Sequence, residues 1–416
     1  MIKAEIVADS TNEFGNRLTT MLITFPRFIL AELNTHRMLS KNSASSRAIP
    51  FKKMLESVKT NPFIPIAWQV DHPGMQGTKY VGNFQHTEVM TAEWLKARDE
   101  AVIAASNLNA GIRSSRAGVY KDDLIEDTQV TKQLCNRLLE PFMWHTVLIS
   151  GTEWENFFHL RCPQYTFHKE DKEWIFRSKK EAIKFFGEDE VVEYESGDIA
   201  LKDLTDLAWL KLNEGKAEIH MMALAEAMWD AFNESKPEEL KAGQWHVVYK
   251  DKIKEMFNLD ETDTDIDGIP YVVKIGTMMA ARTSYTVFGT ELSDWTIDKY
   301  VAKANEMATA NPLHASPFEH CAKVPTWKDY YGAIRGVDYR VIEDEVHNYT
   351  ALEKEYGREA MYEEEKFNSM PLIKGKLIHE HFIKEDDVKM LYFGWFGNFR
   401  GFIQYRKMLA NENKTA

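Results

Sequence analysis

The first strongly patterned block of the chain is continuous, not alternating. Residues 18–25, LTTMLITF, are rich in Thr, Ile, Leu and Phe and predict a strand that Pro26 closes. The apolar run from Phe28 to Leu33 predicts a helix over 27–39, and Pro50 forbids much continuation. Helical patterning over 88–108 and 126–139 predicts two more helices, with the polar loop IRSSRAGVYKDD between them. In ISGTEWENFFHLR, residues 149–161, Thr152 and Glu155 have the spacing of a capping box, which predicts a helix start. Trp154, Phe157, Phe158 and Arg161 then fall near one face, an aromatic stripe that reads as core with Arg161 at its edge. Residues 165–215 are charged and aromatic and read as a surface subdomain, and the Ala/Met-rich segment 216–232 predicts a helix. The acidic stretch 260–270 reads as a linker, CAKVPTW from Cys321 as a strand, and 328–388 as a second charged insertion.

Length and composition narrow this picture. At 416 residues the chain has room for two to three domains of roughly 150 residues each, and 44% hydrophobic residues allow a sizeable core. The pattern divides it into 1–259, the acidic linker 260–270, and 271–416. A net charge of −13 argues against nonspecific binding to nucleic acid or anionic membranes, so an anionic ligand needs a local arginine cluster. No apolar run reaches the ~18 residues of a membrane span, and the start of the chain lacks the apolar segment of a signal peptide. Cys135, Cys162 and Cys321, odd in number and widely spaced, indicate reduced thiols in a cytoplasmic protein and no zinc site. Asp263, Asp265, Asp267 and Gly268 mimic the start of an EF-hand loop. Its twelfth position is Lys274, where calcium needs a bidentate Glu, so an acidic turn is expected and no metal.

The densest chemistry lies in THRMLSKNSASSR, residues 35–47. Arg37 and Arg47 can each fork onto a phosphate or carboxylate, and Ser40, Ser43, Ser45 and Ser46 offer hydroxyls for a polar ligand or for their own backbone. The plainer alternative is a helix that frays into a Ser/Asn-rich loop. The spacing His-Arg-x-x-Ser-x-Asn-x-x-Ser-x-Arg, carried by His36, Arg37, Ser40, Asn42, Ser45 and Arg47, resembles the signature of the flavin-dependent thymidylate synthases. Thr35, Ser43 and Ala48 stand where that family has Arg, Glu and Tyr.

Other segments are similar to the same family. Arg137 and Pro141 resemble its Arg-x-x-Leu-Pro segment, with Glu140 in the Leu position. Asn156, Phe157, Leu160 and Arg161 resemble the end of its Asn-x-Arg-x-x-x-Asn-Phe-Leu-x-Leu-Arg, with Ser150 and Thr152 replacing the first Asn and Arg. Glu218 and Ile219 resemble part of its Glu-Ile-Arg. MMAARTSY (278–285) and HASPFEH (314–320) resemble segments that in ordinary members precede the signature; here they follow it. Gln404 and Arg406 resemble the Gln-x-x-Arg lead into the signature, where the N-terminal copy has Glu32 and Thr35. The chain thus reads as a divergent, rearranged relative of a kind a virus could carry, with 271–416 a second partial synthase-like unit.

The resemblance implies an α/β fold of the α+β type, a sheet packed with helices, in homo-oligomers with sites built between subunits. It implies methylation of dUMP to dTMP, with methylenetetrahydrofolate supplying the carbon, NADPH the reducing equivalents and FAD the hydride. His36, Arg37, Ser43, Ser150 and Asn156 are then expected at FAD. Glu32, Ser45, Arg47, Arg137, Gln404 and Arg406 are expected at the nucleotide. Arg161 is expected to polarise the base and His320 to lie at the flavin, both in catalytic roles. Small-molecule substrates are the implied partners, in the cytoplasm, or the host cytoplasm for a viral member. Two other readings stay open: hydroxymethylation of a pyrimidine nucleotide, and a non-catalytic nucleotide-binding paralogue.

Overall fold

The structure, a computed structural model, describes residues 2–409 except 14, 74–76, 78, 114–124, 195–196, 267, 284–294, 327–328 and 330–394. Nearly all of the second charged insertion, most of the polar loop after Ile112, and Asp267 therefore lie outside the described residues.

Strands β1 (Lys3–Asn12) and β2 (Arg17–Pro26) form an antiparallel hairpin. The patterning of 18–25 predicts β2 closely. The expected helix over 27–39 is far shorter: a 3-10 turn over Arg27–Ile29 leads into α1 (Leu30–Asn34). Thr35 closes α1 by turning its own hydroxyl onto Glu32 O at 2.7 Å, and the chain reverses into β3 (Ser40–Ser43). His36 and Arg37 therefore sit in the turn after the helix. The pull of β3 toward a sheet partner overrides the helical propensity of its flank.

Helices α2 (Phe51–Thr60), α3 (Phe84–Ala110) and α4 (Lys132–Leu139) pack together around Met54, Val58, Ala105, Cys135 and Leu139. The helix expected from 126 begins only at Lys132. Upstream, the Thr128 hydroxyl accepts from Ile112 N and donates to Ile125 O, which holds that segment in a loop. Strand β4 (Trp144–Gly151) then enters the sheet, followed by α5 (Glu155–Arg161). The predicted helix start is in place, but the capping box does not close: Thr152 Oγ1 accepts from Arg400 N, and Trp154 occupies the cap position.

Residues 165–212 build two hairpins and two helices: β5 (Tyr165–Lys169) with β6 (Lys172–Phe176), α6 (Lys179–Phe186), β7 (Val191–Tyr194) with β8 (Gly197–Ala200), and α7 (Asp206–Leu212). Their apolar cluster includes Tyr165, Phe167, Phe176 and Trp209. Helix α8 (Ile219–Glu234) follows. Its start is capped by Glu218, which accepts from His220 N and Met221 N.

The remaining elements are β9 (Glu238–Leu240), β10 (Trp245–His246), α9 (Lys250–Phe257), α10 (Tyr271–Thr283), α11 (Ile297–Ala308), β11 (Ala322–Lys323), β12 (Trp395–Phe396), β13 (Phe399–Arg400) and β14 (Ile403–Gln404). The expected acidic turn before α10 is tied down by Asp265, which accepts from Ile269 N and pairs with Lys274, the residue at the twelfth position. Helix α10 is buried on all sides. Gly276 lets it press against the chain after β10, because a Cβ there would lie 2.8 Å from Val248 O.

The central sheet has the order β3-β4-β2-β1-β9, antiparallel except for the β1–β9 edge. Its two faces carry different layers, because side chains alternate along each strand. Met21, Ile23, Phe25, Val147 and Ile149 face α5 and α8, whose Phe157, Phe158, Leu224 and Met228 complete one core. The opposite face carries Leu22 and Leu148 against the C-terminal third, and Leu148 belongs to the cluster of Val272, Ile275, Met279 and Phe318. A small sheet, β10-β11-β14, in which β10 comes from before the acidic linker, lies on the same face. The fold is α+β: an antiparallel-rich sheet with helices and a second sheet layered on it.

Candidate functional site

The two sheets meet along a polar row. Thr20 pairs with Ser150, and Ser150 with Ser40, so three hydroxyl side chains stand side by side across β2, β4 and β3. The small sheet and the segment leading into β11 answer each of them. His246 Nε2 lies 2.9 Å from Thr20 Oγ1, His320 Nδ1 lies 2.8 Å from Ser150 Oγ, and Gln404 Nε2 donates to Ser40 Oγ at 3.0 Å. Thr20 and Ser150 are 2.7 Å apart, and His246 Nδ1 reaches Ser10 Oγ at 2.9 Å. Next to the row, the Asn42 amide donates to Ala280 O at 2.5 Å and accepts from Ser316 Oγ at 3.2 Å. Asn42 and Ser40 of the arginine-rich segment thus touch the C-terminal Ala-Ala-Arg, Ser-Pro-Phe-Glu-His and Gln-x-Arg strings. Burial pushes His246 and His320 down to about 3, the other imidazole adding to the effect on His320. Both rings are therefore neutral near pH 7.

Arg161 organises a second cluster, at the junction of α1 and α5. Its guanidinium donates to His36 Nε2 at 3.0 Å, pairs with Glu32 at 3.2 Å and reaches Thr35 Oγ1 at 3.4 Å. The His36 ring meets Phe157 edge-on at 4.9 Å. Because Arg161 can only donate, Nε2 of His36 carries its lone pair and the ring is neutral. Burial, Arg161 and Lys41 together draw its pKa down to about 4. Glu32 is shifted upward by burial and by Glu218, with Arg161 opposing. Lys41 turns its ammonium onto the carbonyls of His36 (2.5 Å) and Leu39 (3.1 Å). Burial lowers it to about 8, against the pull of Glu319. An electron-rich ligand atom arriving here would meet Arg161 in competition with the Glu32 carboxylate.

A third group lies beyond the other end of β3. The turn after it keeps its shape through Ala48 N and Ile49 N, both donating to Ser45 O. The fully buried Asn136 of α4 docks the turn by donating to Ser46 O at 2.7 Å and to Ile49 O at 3.0 Å. Arg47 projects from this turn and Arg137 is the next residue of α4; both are exposed. Below them Arg27 donates to His145 Nε2 at 2.9 Å and pairs with Glu140 at 3.4 Å. Burial lowers the Arg27 pKa, Glu140 opposes this, and the charge of Arg137 adds to the lowering. Ser43 Oγ lies 3.4 Å from the same His145 nitrogen.

The expected site residues therefore fall into separate neighbourhoods. Glu32, His36 and Arg161 come together. Arg47 and Ser45 lie on the turn, and Arg137 on the helix, that the Asn136 bonds join. Ser150, His320 and Gln404 meet in the seam between the sheets, where Ser150 is wholly buried. Arg406 pairs with Glu319 beside that seam. Ser43 faces His145. Arg37 and Asn156 are exposed. Strand β3 links the groups: Ser40 enters the seam and Ser43 leaves it, about 10 Å apart at strand rise. A cavity of about 630 Å3 opens between α10 and α11, with Met278, Trp295 and Met307 as apolar wall and Arg282 and His314 as polar members. Arg282 is held by the Tyr300 hydroxyl at 3.1 Å and lies over Trp295 at 5.0 Å.

Ser10, Thr20, Asn136, His145 and His246 belong to none of the motifs in the sequence. Two of them had a legible signal, a polar residue inside an apolar stretch: His246 between Trp245 and Val247, and Asn136 on the inward face of α4 with Cys135 and Leu139. Thr20 looks like any strand threonine until its partner from the other sheet is known.

Fold and site together define an α+β protein with a polar seam between two sheets and arginines on its rim. No protein-family model matches the chain, and no curated protein matches it. Among solved structures it is similar to a UMP/dUMP methylase, PolB from Streptomyces cacaoi, bound with 5-Br UMP, at 14% identity and a TM-score of 0.32, over 56% of this chain and 89% of that one. The same enzyme bound with 5-Br dUMP is similar at 12% identity and a TM-score of 0.32, over 56% of this chain and 91% of that one. Among the described residues no helix is long and apolar enough to cross a membrane, and no group of metal-ligating side chains comes together.

Proposed function

We propose that the protein methylates dUMP to dTMP, with methylenetetrahydrofolate as carbon donor, NADPH as reductant and FAD as cofactor. The observation that carries this reading is the Asn136 clamp. Arg47 and Arg137 are ninety residues apart, belong to two separate motifs of the synthase resemblance, and are brought to adjoining backbone by one buried amide. Two exposed guanidiniums on a fixed turn and helix suit a phosphate monoester, which takes forked N–H donors from more than one side. The Ser45 hydroxyl, at the base of the same turn, supplements them.

Arg161 acts on the base. His36 holds the guanidinium by its Nε, leaving the Nη groups to exchange Glu32 for a ring carbonyl of the nucleotide. A preorganised cation at that oxygen stabilises negative charge as the ring is activated. The residues present also fit a flavin. The cavity between α10 and α11 is lined by none of the five residues expected at FAD; it offers the Trp295 ring with Met278 and Met307 as an apolar wall, and Lys303 and His314 beside Glu306 as polar members. FAD bound there would supply the hydride; the chain's own residues bind, orient and exclude water.

Purified full-length protein incubated with dUMP, methylenetetrahydrofolate, NADPH and FAD should yield dTMP by mass spectrometry, and FAD fluorescence should be quenched on titration. A hydroxymethylated nucleotide as product would replace the methyl-transfer reading. Absence of both FAD binding and product would refute the proposal.

A further inference from the structure

The polar seam can be followed atom by atom as a single chain of hydrogen bonds: Ser10 Oγ, His246 Nδ1 and Nε2, Thr20 Oγ1, Ser150 Oγ, His320 Nδ1. Ser10, Thr20, Ser150 and both imidazoles are each at least 97% buried. One end borders a cleft: Ser10 lines a space of about 790 Å3 together with Asp9, Lys236, Tyr249 and Lys250. At the other end His320 Nε2 is buried and has no hydrogen-bond partner among the described residues.

Proton counting restricts this chain to two states. A hydroxyl has one hydrogen, and a neutral imidazole carries one on either nitrogen. If His246 holds its proton on Nδ1 and gives it to Ser10, its Nε2 must accept from Thr20. Thr20 must then accept from Ser150, and Ser150 from Nδ1–H of His320, leaving His320 Nε2 a bare acceptor. If His246 holds its proton on Nε2, every link reverses and His320 Nε2 becomes a donor. Intermediate arrangements put two hydrogens, or none, between one pair of buried atoms. Both rings are neutral near pH 7, so neither can escape the rule by carrying two protons.

We propose that Ser10, His246, Thr20 and Ser150 form a polarity-locked chain that sets whether His320 Nε2 donates or accepts, coupling that atom to the cleft at Ser10. A ligand group that accepts from His320 Nε2 selects the second state. In that state Ser10 donates inward and offers only lone pairs to the cleft. A group that donates to Nε2 selects the first state, in which the Ser10 hydrogen points to the cleft. The coupling is reciprocal: a cleft occupant with a donor aimed at Ser10, such as an amine or amide, favours a donating His320 Nε2, and an acceptor such as a carboxylate or phosphate favours the opposite. In the unliganded protein the first state prevails, since an orphaned buried N–H is rarer than an under-satisfied acceptor.

The test is long-range 1H–15N correlation on full-length, 15N-labelled protein at neutral pH, with the two rings assigned from His246→Gln and His320→Gln spectra. Both histidines are expected as the Nδ1–H tautomer. In Ser10→Ala, which removes the acceptor of His246, both are expected to gain Nε2–H population together. In the isosteric Thr20→Val, which cuts the chain, His320 is expected to respond no longer to the Ser10 substitution. The proposal is overturned if the wild-type rings are found in opposite tautomers, or if Ser10→Ala leaves His320 unchanged. It is overturned equally if His320 still follows Ser10→Ala in the Thr20→Val background. Ser10→Ala alone decides the matter if the threonine variant does not fold.

Discussion

Replacing Asn136 by Ala tests how the arginine turn is held. The side chain is wholly buried and makes two hydrogen bonds, 2.7 Å to Ser46 O and 3.0 Å to Ile49 O. Each such bond contributes about 1 kcal/mol net, and a buried acceptor left without a donor costs about 1–3 kcal/mol. Against this, Asn136 Oδ1 is itself buried without a hydrogen-bond partner among the described residues, so its removal relieves one existing penalty. The balance is a loss of about 1–3 kcal/mol, confined to the junction of the turn with α4, because the turn's own bonds from Ala48 N and Ile49 N to Ser45 O remain. Hydrogen exchange of the amides in 46–49 should rise roughly tenfold or more, since about 1.4 kcal/mol is a factor of ten. Binding of dUMP by calorimetry should weaken by a similar factor, because Arg47 is no longer held beside Arg137. Asn136→Asp, which sets a carboxylate oxygen against the two carbonyls, should do at least as much. Faster exchange with unchanged dUMP affinity would detach the turn from the nucleotide site. Unchanged exchange would show that the clamp does not hold the turn at all.

Three further outcomes are expected. Arg161→Ala should leave melting close to wild type and reduce turnover by roughly a hundredfold or more, as loss of an oxyanion-type contact costs about 3–4 kcal/mol of barrier; near-normal turnover would make Arg161 a structural partner of Glu32 only. Stability should fall on acidification: His36 is held near 4 and His145, His246 and His320 near 3, below the ordinary imidazole value of 6.5. The unfolded chain therefore binds more protons as pH drops below about 6.5, and the loss grows until the folded-state values are reached. Denaturant midpoints at pH 7 and pH 5 measure this, and a midpoint that rises toward pH 5 would contradict it. Lys274→Ala should cost about 3–5 kcal/mol, because it removes the cation from a buried ion pair while the Asp265 carboxylate stays in place; Lys274→Ala with Asp265→Asn should recover part of it in urea unfolding, and an unchanged single variant would refute the pairing.

Local pattern alone determined several elements of this protein. A continuous β-prone run made β2, because a strand buried on both faces needs no polar alternation. Aromatic residues spaced along one helix face put Phe157 and Phe158 in the core, and an Ala/Met-rich segment made α8. Length and charge bounded the chain as an acidic protein with room for more than one layer. The spacing of His36, Arg37, Asn42, Ser45 and Arg47 marked where polar chemistry is concentrated.

Tertiary structure decided where that chemistry points. The helix over 27–39 stopped early because Ser40–Ser43 gain more by pairing with β4 than by continuing a helix. Thr152 left its capping role because Arg400, 248 residues later, offered a backbone N–H. Ser150 and Gln404, expected at ligands, are enclosed between two sheets, and Ser10, Thr20 and His246 join them from positions with no motif. Such contacts are invisible in the chain because each half is an ordinary polar residue. Only the face-to-face packing of residues 10–42 and 145–151 on 245–246, 316–323 and 400–406 makes them obligatory partners: once water is excluded from the seam, every donor and acceptor in it must find a neighbour or bear the cost.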